Sequence, residues 1–168
     1  KSRVVCVYNG FPRDLLERRP APKLERFTVC FHGVLGFFQD VETLVGLARA
    51  LEEHDIDVLA IGYGRKERLL ADAGLPNLRF LGRQSFASTI AKIERCHLGL
   101  CLRLDDGISK DAFPVKVWEY LGLGIPSLVT PACEAGDFLE RNDCGRQFSA
   151  GDIASLLTAI LELRNDST

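Results

Sequence analysis

The chain lacks a surplus of either charge. Its 21 Lys and Arg stand against 23 Asp and Glu, a formal net charge of −2. A nucleic-acid-binding face needs a basic excess gathered on one side. The one local basic cluster, Arg13, Arg18, Arg19 and Lys23, is interrupted by Asp14 and Glu17, so no nucleic-acid partner is expected. No apolar run approaches the length of a membrane-spanning helix, and no signal-peptide pattern is read. None of the six cysteines, Cys6, Cys30, Cys96, Cys101, Cys133 and Cys144, forms a CxxC pair. His32, His54 and His97 have no metal-ligand spacing with one another or with the cysteines, so no metal site is expected. The cysteines read as reduced thiols of a cytosolic protein, several of them in or beside apolar runs. The P-loop pattern is missing, and so is the third glycine of the dinucleotide fingerprint. There is no Ser/His/Asp set, no activated cysteine, no internal repeat and no low-complexity segment.

What is present suffices for one domain. A chain of 168 residues, 46% apolar and 26% charged, has a globular composition, and at this length folding buries roughly 70% of the unfolded surface without disulfide or metal staples. The first residue is not Met and the chain opens at once in an apolar run, which reads as a piece cut from a longer protein.

Val4 to Tyr8 reads as a short buried strand ended by the turn Asn9-Gly10-Phe11-Pro12. Residues 12 to 26 are polar and contain Pro20 and Pro22, an exposed loop with one helical turn around Leu15 and Leu16. Phe27 to His32 is a strand. Asp40 caps a helix with apolar positions Val41, Leu44, Val45, Ala48 and Leu51, a 3.6-residue period. Strands follow at Ile56 to Ile61, Leu78 to Leu81, Leu98 to Leu102 and Ile125 to Thr130, with a short piece at Gly145 to Ser149. Helices fall between them at Lys66 to Ala73, from Ser85 or Phe86 to about Arg95, and at Glu134 to Arg141. Asp152 caps a last helix through Leu161. Short, continuously apolar strands alternating with helices predict an α/β fold, a Rossmann-like open parallel sheet with helices on both faces. In such sheets ligands bind outside the carboxyl ends of the strands. The glycine turns at Gly33, Gly62 and Gly82 all follow strands and so share that edge.

One stretch carries the most chemistry, Asp111 to Thr130. It reads as loop, helix, strand. Pro114 suits a helix start, Gly122 and Gly124 end the helix, and the opening turns hold Val115, Lys116 and Glu119. A helix N-terminus offers free N–H groups and a positive dipole end to a phosphate, and a carboxylate one turn further in can accept from the hydroxyls of a ribose. A Lys and a Glu three apart on a helix are otherwise an ordinary solvated pair. Arg65 and Lys66 follow the turn Gly62-Tyr63-Gly64 and could reach a phosphate. Arg103 and Lys110 add positive charge near the loop, and Asp105, Asp106 and Asp111 offset it. Such aspartates commonly cap or form turns.

These segments together resemble the C-terminal, donor-binding half of the group 1 (family 4) glycosyltransferases of GT-B fold. The resemblance runs from Asn9-Gly10 through Gly33, Ile61 to Gly64, Asn77 to Gly82 and the most specific segment, Phe113 to Pro126, to Cys144-Gly145 and Gly151-Asp152. It implies transfer of a sugar from a nucleotide sugar, such as a UDP- or GDP-sugar, to an acceptor hydroxyl with retention, and with no cofactor or metal. The partner it implies is an N-terminal acceptor-side domain, and association of the whole protein with a membrane surface is compatible with it. Two family glutamates with seven residues between them map onto Asp111, on the sugar side and catalytic, and Glu119, on the ribose. Gly33 and Gly64 would be close-approach turns, and Lys116, Arg65 and Val115 would lie near the phosphates. The Arg and Lys that clamp the diphosphate in this family usually follow the first glycine turn. Here Val34 stands at the Arg position and Phe38 or Gln39 at the Lys position, leaving Lys116 or the helix start at residues 113–116 to compensate. Two other readings follow from that departure and from the architecture. One is a domain that has lost its chemistry and serves in assembly, which exposed apolar residues around Phe37, Phe38 or Phe11 would support. The other is half of a sugar-nucleotide epimerase, for which only His97 or Asp105 offers an acid or base.

Overall fold

The computed structural model describes residues 3–5, 7–17 and 19–166, of Asp14 only the backbone. Six parallel strands form one sheet: β1 (Thr28–Val34), β2 (Asp57–Tyr63), β3 (Leu78–Phe80), β4 (Leu98–Leu102), β5 (Ser127–Thr130) and β6 (Gly145–Gln147). Their order is β3-β2-β1-β4-β5-β6. This is the Rossmann order, whose direction reverses between β1 and β4 and opens a crevice at their carboxyl ends. Seven helices accompany the sheet among the described residues: α1 (Arg13–Leu16), α2 (Val41–Glu52), α3 (Glu67–Ala71), α4 (Phe86–Ile93), α5 (Val115–Gly122), α6 (Glu134–Arg141) and α7 (Ile153–Asp166).

Alternation along the strands sorts the core into two sides. Val29, Phe31, Val58, Ala60, Leu98 and Leu100 pack with Leu44, Leu47 and Leu51 of α2 and Leu156 and Ile160 of α7. Cys30, Leu59 and Ile61 pack with Ile90 and Ile93 of α4 and Tyr120 of α5, while Cys101 and Val129 meet Val117 of α5 and Leu139 of α6. Burying each large aliphatic side chain stabilises the fold by roughly 1.5–3 kcal/mol. The expected caps are present. Asp40 accepts from the Thr43 N–H at 3.0 Å, Ser85 from Ser88 at 3.2 Å and Asp152 from Ser155 at 3.0 Å. Cys30, Cys96, Cys101 and Cys133 are buried free thiols and Cys144 is half-buried. Cys6 lies outside the described residues.

Among the described residues, the expected strand at Val4 to Tyr8 does not form. Val4, Val5 and Val7 are 94%, 76% and 87% exposed. Both edges of β1 are already taken, by β2 and β4, so this apolar run has no buried edge to join. The chain instead crosses the outer side of α5 and α6. Tyr8 meets the Phe113 and Trp118 rings and donates to Glu134, and Phe11 fills the space left by Gly122.

Candidate functional site

The topological switch point places the ends of β1 and β4 beside the start of α5. Parity along β1 turns His32 to the same side of the sheet as Cys30, toward α5, just before the strand runs out at Gly33 and Val34. α5 begins after Pro114, whose φ of −64° and ψ of 135° make it the capping residue rather than the first helical one. No side chain caps this end. The N–H groups of Val115 and Lys116 therefore point out of the helix without intrahelical acceptors, at its positive dipole end.

Lys116 and Glu119 are not a solvated pair. Lys116 is 7% exposed. Its ammonium crosses to the β1–α2 turn, where it donates to Gln39 Oε1 at 2.9 Å and lies 4.2 Å from the centre of the Phe31 ring. Gly33, at φ +129°, is in a backbone conformation that favours glycine, and a Cβ there would only touch this Nζ at 3.4 Å, an ordinary van der Waals contact. The turn where the resemblance expects an Arg and a Lys thus receives its positive charge from α5. Among the described residues no carboxylate lies within ion-pair distance of Lys116. Burial pushes its pKa down and repulsion from Arg103 adds to this, with Glu119 acting in the opposite sense. Arg103, at the end of β4, is bridged to Gln39 through the backbone and stacks over Phe38 at 5.7 Å. Its Nε is buried without a hydrogen-bond partner. Lys66 also reaches this turn, donating to the Gln39 carbonyl at 3.0 Å, but Glu42 pairs with it at 2.8 Å. Lys116 and Arg103 have no such carboxylate partner among the described residues, and together they favour a ligand of high negative charge.

Glu119 Oε2 lies 2.6 Å from His32 Nε2, and His32 Nδ1 lies 2.9 Å from the Tyr120 hydroxyl. Burial pushes the His32 pKa down despite the carboxylate beside it. Glu119, His32, Gly33, Ile61, Gln84, Phe86 and Thr89 line a cleft of about 150 Å³ at the carboxyl edge.

Of the other residues singled out in the sequence, Val115 is exposed on the first turn of α5. Arg65 is exposed on the rim, 4.8 Å above the Phe37 ring, and not against Lys116. Gly64 faces the chain itself, since a Cβ there would come within 2.6 Å of the Leu35 carbonyl oxygen. Asp111 ends the short 3₁₀ turn Ser109–Asp111, exposed on the loop before α5. That loop is shaped by Asp106, which accepts from the Ile108 and Ser109 N–H groups, and Asp105 pairs with Lys110 at 3.3 Å. His97 sits at the opposite edge, stacked on Phe27 and accepting from the Thr28 N–H at 3.0 Å, outside this cleft. The sequence reading overlooked His32 and Tyr120 as site residues, and named Gln39 only as one of two residues at the clamp Lys position. The available signal was a lone polar residue at the carboxyl end of an apolar strand.

A larger cleft of about 630 Å³ opens at the amino edge, around Leu24, Thr28, Asn77 and Arg79. Its charged walls are largely satisfied internally, Arg26 by Asp55 and Asp57 and Lys92 by Ser88. Arg79 and Arg95 of that cleft are exposed, whereas the buried cation Lys116 and the α5 start are both at the carboxyl edge, so the candidate site is placed there.

A family model described as Glycosyl transferases group 1 matches residues 26–166. The chain belongs to this family. Among curated proteins none matches it by sequence. Among solved structures, this group 1 glycosyl transferase chain resembles Anabaena HepE in complex with UDP-glucose at TM-score 0.74 and 19% identity, over 96% of its own length and 48% of HepE. It resembles WaaG, a glycosyltransferase involved in lipopolysaccharide biosynthesis, at TM-score 0.71 and 17% identity, over 92% of its length and 47% of WaaG. The catalytic domain of the cholesterol-alpha-glucosyltransferase from Helicobacter pylori matches at TM-score 0.60 and 16% identity, over 83% of this chain and 87% of that one. The group 1 chain spans less than half the length of HepE and WaaG, and at these identities the likeness establishes a shared fold alone, the Rossmann-like α/β fold seen in GT-B halves.

Proposed function

We propose that this chain is the donor-binding half of a glycosyltransferase that takes a sugar from a nucleoside diphosphate sugar and passes it, with retention, to an acceptor hydroxyl. The observation that carries this reading is the Lys116 ammonium, buried at the Gly33–Gln39 turn with no carboxylate within ion-pair distance among the described residues. A buried cation without a counter-charge is unfavourable unless its task needs one, and a diphosphate supplies the missing charge. Lys116, Arg103 and the uncapped start of α5 would stabilise the charge that develops on the departing nucleoside diphosphate as the glycosidic bond breaks. Glu119, one turn further in, would accept from the ribose hydroxyls, with the base beside it in the cleft walled by Phe86 and Ile61. Asp111, on the loop ahead of the helix, is the residue for the sugar side. HepE, crystallised with UDP and with UDP-glucose, makes uridine the first base to try.

Ligand pockets typically enclose roughly 300–1,000 Å³, and the cleft beside Glu119 holds about 150 Å³. Such a half-open site is completed by a second body. Phe37 and Phe38, 68% and 43% exposed on the same rim, suit contact with one. In this reading that body is the acceptor-side domain, whose closure would exclude water from the donor. A second reading rests on the same exposed rings: a domain that assembles with copies of itself and has left catalysis behind. Sedimentation distinguishes them, because a tight dimer without nucleotide affinity belongs to the second reading.

The test is calorimetric titration of the chain with UDP, GDP and ADP, with the monophosphates as controls. Saturable binding of one diphosphate, weaker for its monophosphate and lost in Lys116→Ala, is the expected result. Failure of all three to bind at millimolar concentration would overturn the proposal.

A further inference from the structure

We infer that His32 is a positioning residue: it holds one carboxylate oxygen of Glu119 so that the other faces the ribose hydroxyls of a nucleoside diphosphate. This inference rests on the proposed donor site and adds a member that contacts no ligand itself.

The geometry is that of a buried relay. His32 and Glu119 are 87 positions apart, and their side chains meet with 8% and 15% exposure. The 2.6 Å separation of Nε2 and Oε2 is short even for a charge-assisted hydrogen bond. On the other side of the ring the Tyr120 oxygen is 2.9 Å from Nδ1 and 3.3 Å from each of the Cys30 and Leu100 carbonyls. A neutral imidazole offers one donor and one acceptor. If Nδ1 carried the proton, the Nε2 lone pair would face a carboxylate oxygen at hydrogen-bond distance, a repulsive contact. The consistent assignment is that Tyr120 O–H donates to Nδ1 and Nε2–H donates to Glu119. Burial, which holds the His32 pKa below its ordinary range, favours the same neutral ring. The charged groups acting on the ring are Glu119 and Lys116 of α5. Among the described residues, β2 and the α4 side line this corner with Ile61, Gly62, Tyr63, Gln84, Phe86 and Thr89, of which only the Tyr63 phenol is titratable.

The consequence is directional. A carboxylate on a helix ordinarily rotates among several orientations, and freezing it in one is part of what ligand binding must overcome. Here the protein has already frozen it. Oε2 is committed to His32, and the remaining lone pairs stand at the cleft that both residues line. An acceptor held in this way suits a donor pair such as a vicinal diol.

The experiment compares wild type, His32→Leu and His32→Gln by calorimetric titration with UDP and with 2′,3′-dideoxy-UDP, which lacks both ribose hydroxyls. His32→Leu removes the N–H that holds Glu119, and His32→Gln restores an N–H at a similar reach. The expected result is an approximately tenfold or larger loss of UDP affinity in His32→Leu, substantial recovery in His32→Gln, and little change in dideoxy-UDP affinity across all three. Equal losses for both nucleotides would mean that His32 only supports the fold, and unchanged UDP affinity in His32→Leu would mean that Glu119 needs no positioning. Either outcome overturns the inference while leaving the donor site standing. If wild type binds no nucleotide, the donor site fails first and the inference with it. A measurement without ligand stands beside these. Nitrogen-15 NMR of His32 in wild type is expected to show the Nε2–H neutral tautomer near neutral pH, and the Nδ1–H tautomer would overturn the relay.

Discussion

Lys116 Nζ donates to Gln39 Oε1 at 2.9 Å, which carries the ammonium from the first turn of α5 to the turn between β1 and α2. A lysine kept for stability and one kept for binding predict opposite results on removal. Lys116→Met keeps the apolar stem and deletes the charge. Because that charge is buried and, among the described residues, no carboxylate lies within ion-pair distance of it, the variant should unfold at the same or a higher urea concentration than wild type. Its affinity for UDP should fall by the worth of a charge-assisted hydrogen bond, roughly 1.5–3 kcal/mol or about 10- to 150-fold. Loss of both stability and binding would assign Lys116 to the fold.

The pH dependence of binding follows from the same residue. Burial and Arg103 lower the Lys116 pKa in the free protein, and a diphosphate stabilises the protonated form. Binding is therefore strongest where Lys116 is charged and weakens as rising pH removes the proton. Because the pKa is depressed, the decline begins below the ordinary lysine value of about 10.4. Calorimetry with UDP across the alkaline range, where the phosphate charge no longer changes, should show this fall in wild type and a flat profile in Lys116→Met.

Glu119→Ala tests the ribose assignment. Loss of an acceptor for the hydroxyls should weaken UDP binding by roughly 1.5–3 kcal/mol, measured by the same titration, and unchanged affinity would remove Glu119 from the site. The substitution also leaves the His32 N–H without its carboxylate partner. For this reason Glu119→Gln, which keeps an acceptor oxygen, is the companion variant and should retain more of the stability.

The fold was legible because β1, β2, β4 and β5 are short, largely apolar runs and α2, α4 and α7 carry the recognisable caps Asp40, Ser85 and Asp152. Leu98 to Leu102 and Glu134 to Arg141 stand where the pattern placed them. Val4 to Tyr8 has the same local appearance as a buried strand, but whether a strand forms depends on a free sheet edge, and that is a long-range fact. The site divides in the same way. The α5 segment announced itself by Pro114, Lys116, Glu119 and the glycines after it. Its partners did not, since Gln39 is 77 positions from Lys116 and His32 is 87 from Glu119. The i, i+3 spacing of Lys116 and Glu119 suggested that they pair with each other. Instead each turns to a different part of the β1 end, because α5 lies across the switch point and not out in solvent.

Gly99→Ala tests whether the core and the site are one structure. Gly99 lies on β4, paired with Cys30 on one side and Ser127 on the other. A Cβ there would come within 2.4 to 2.7 Å of three ring atoms of Tyr120. Tyr120 is wholly buried, and its hydroxyl is fixed at His32 Nδ1, so the ring cannot yield without disturbing the relay to Glu119. Overpacking of this kind costs roughly 1–3 kcal/mol, so Gly99→Ala should lower the unfolding midpoint in urea. It should also weaken UDP binding although Gly99 does not line the cleft beside Glu119. Tyr120→Phe separates the two effects, because it keeps the ring and removes only the hydroxyl that holds His32. Combining Gly99→Ala with Tyr120→Leu should recover part of the stability, since the smaller side chain relieves the clash, while UDP affinity stays low. Recovery of both together would show that only packing is transmitted from Gly99, and that the Tyr120–His32–Glu119 relay does not carry the effect.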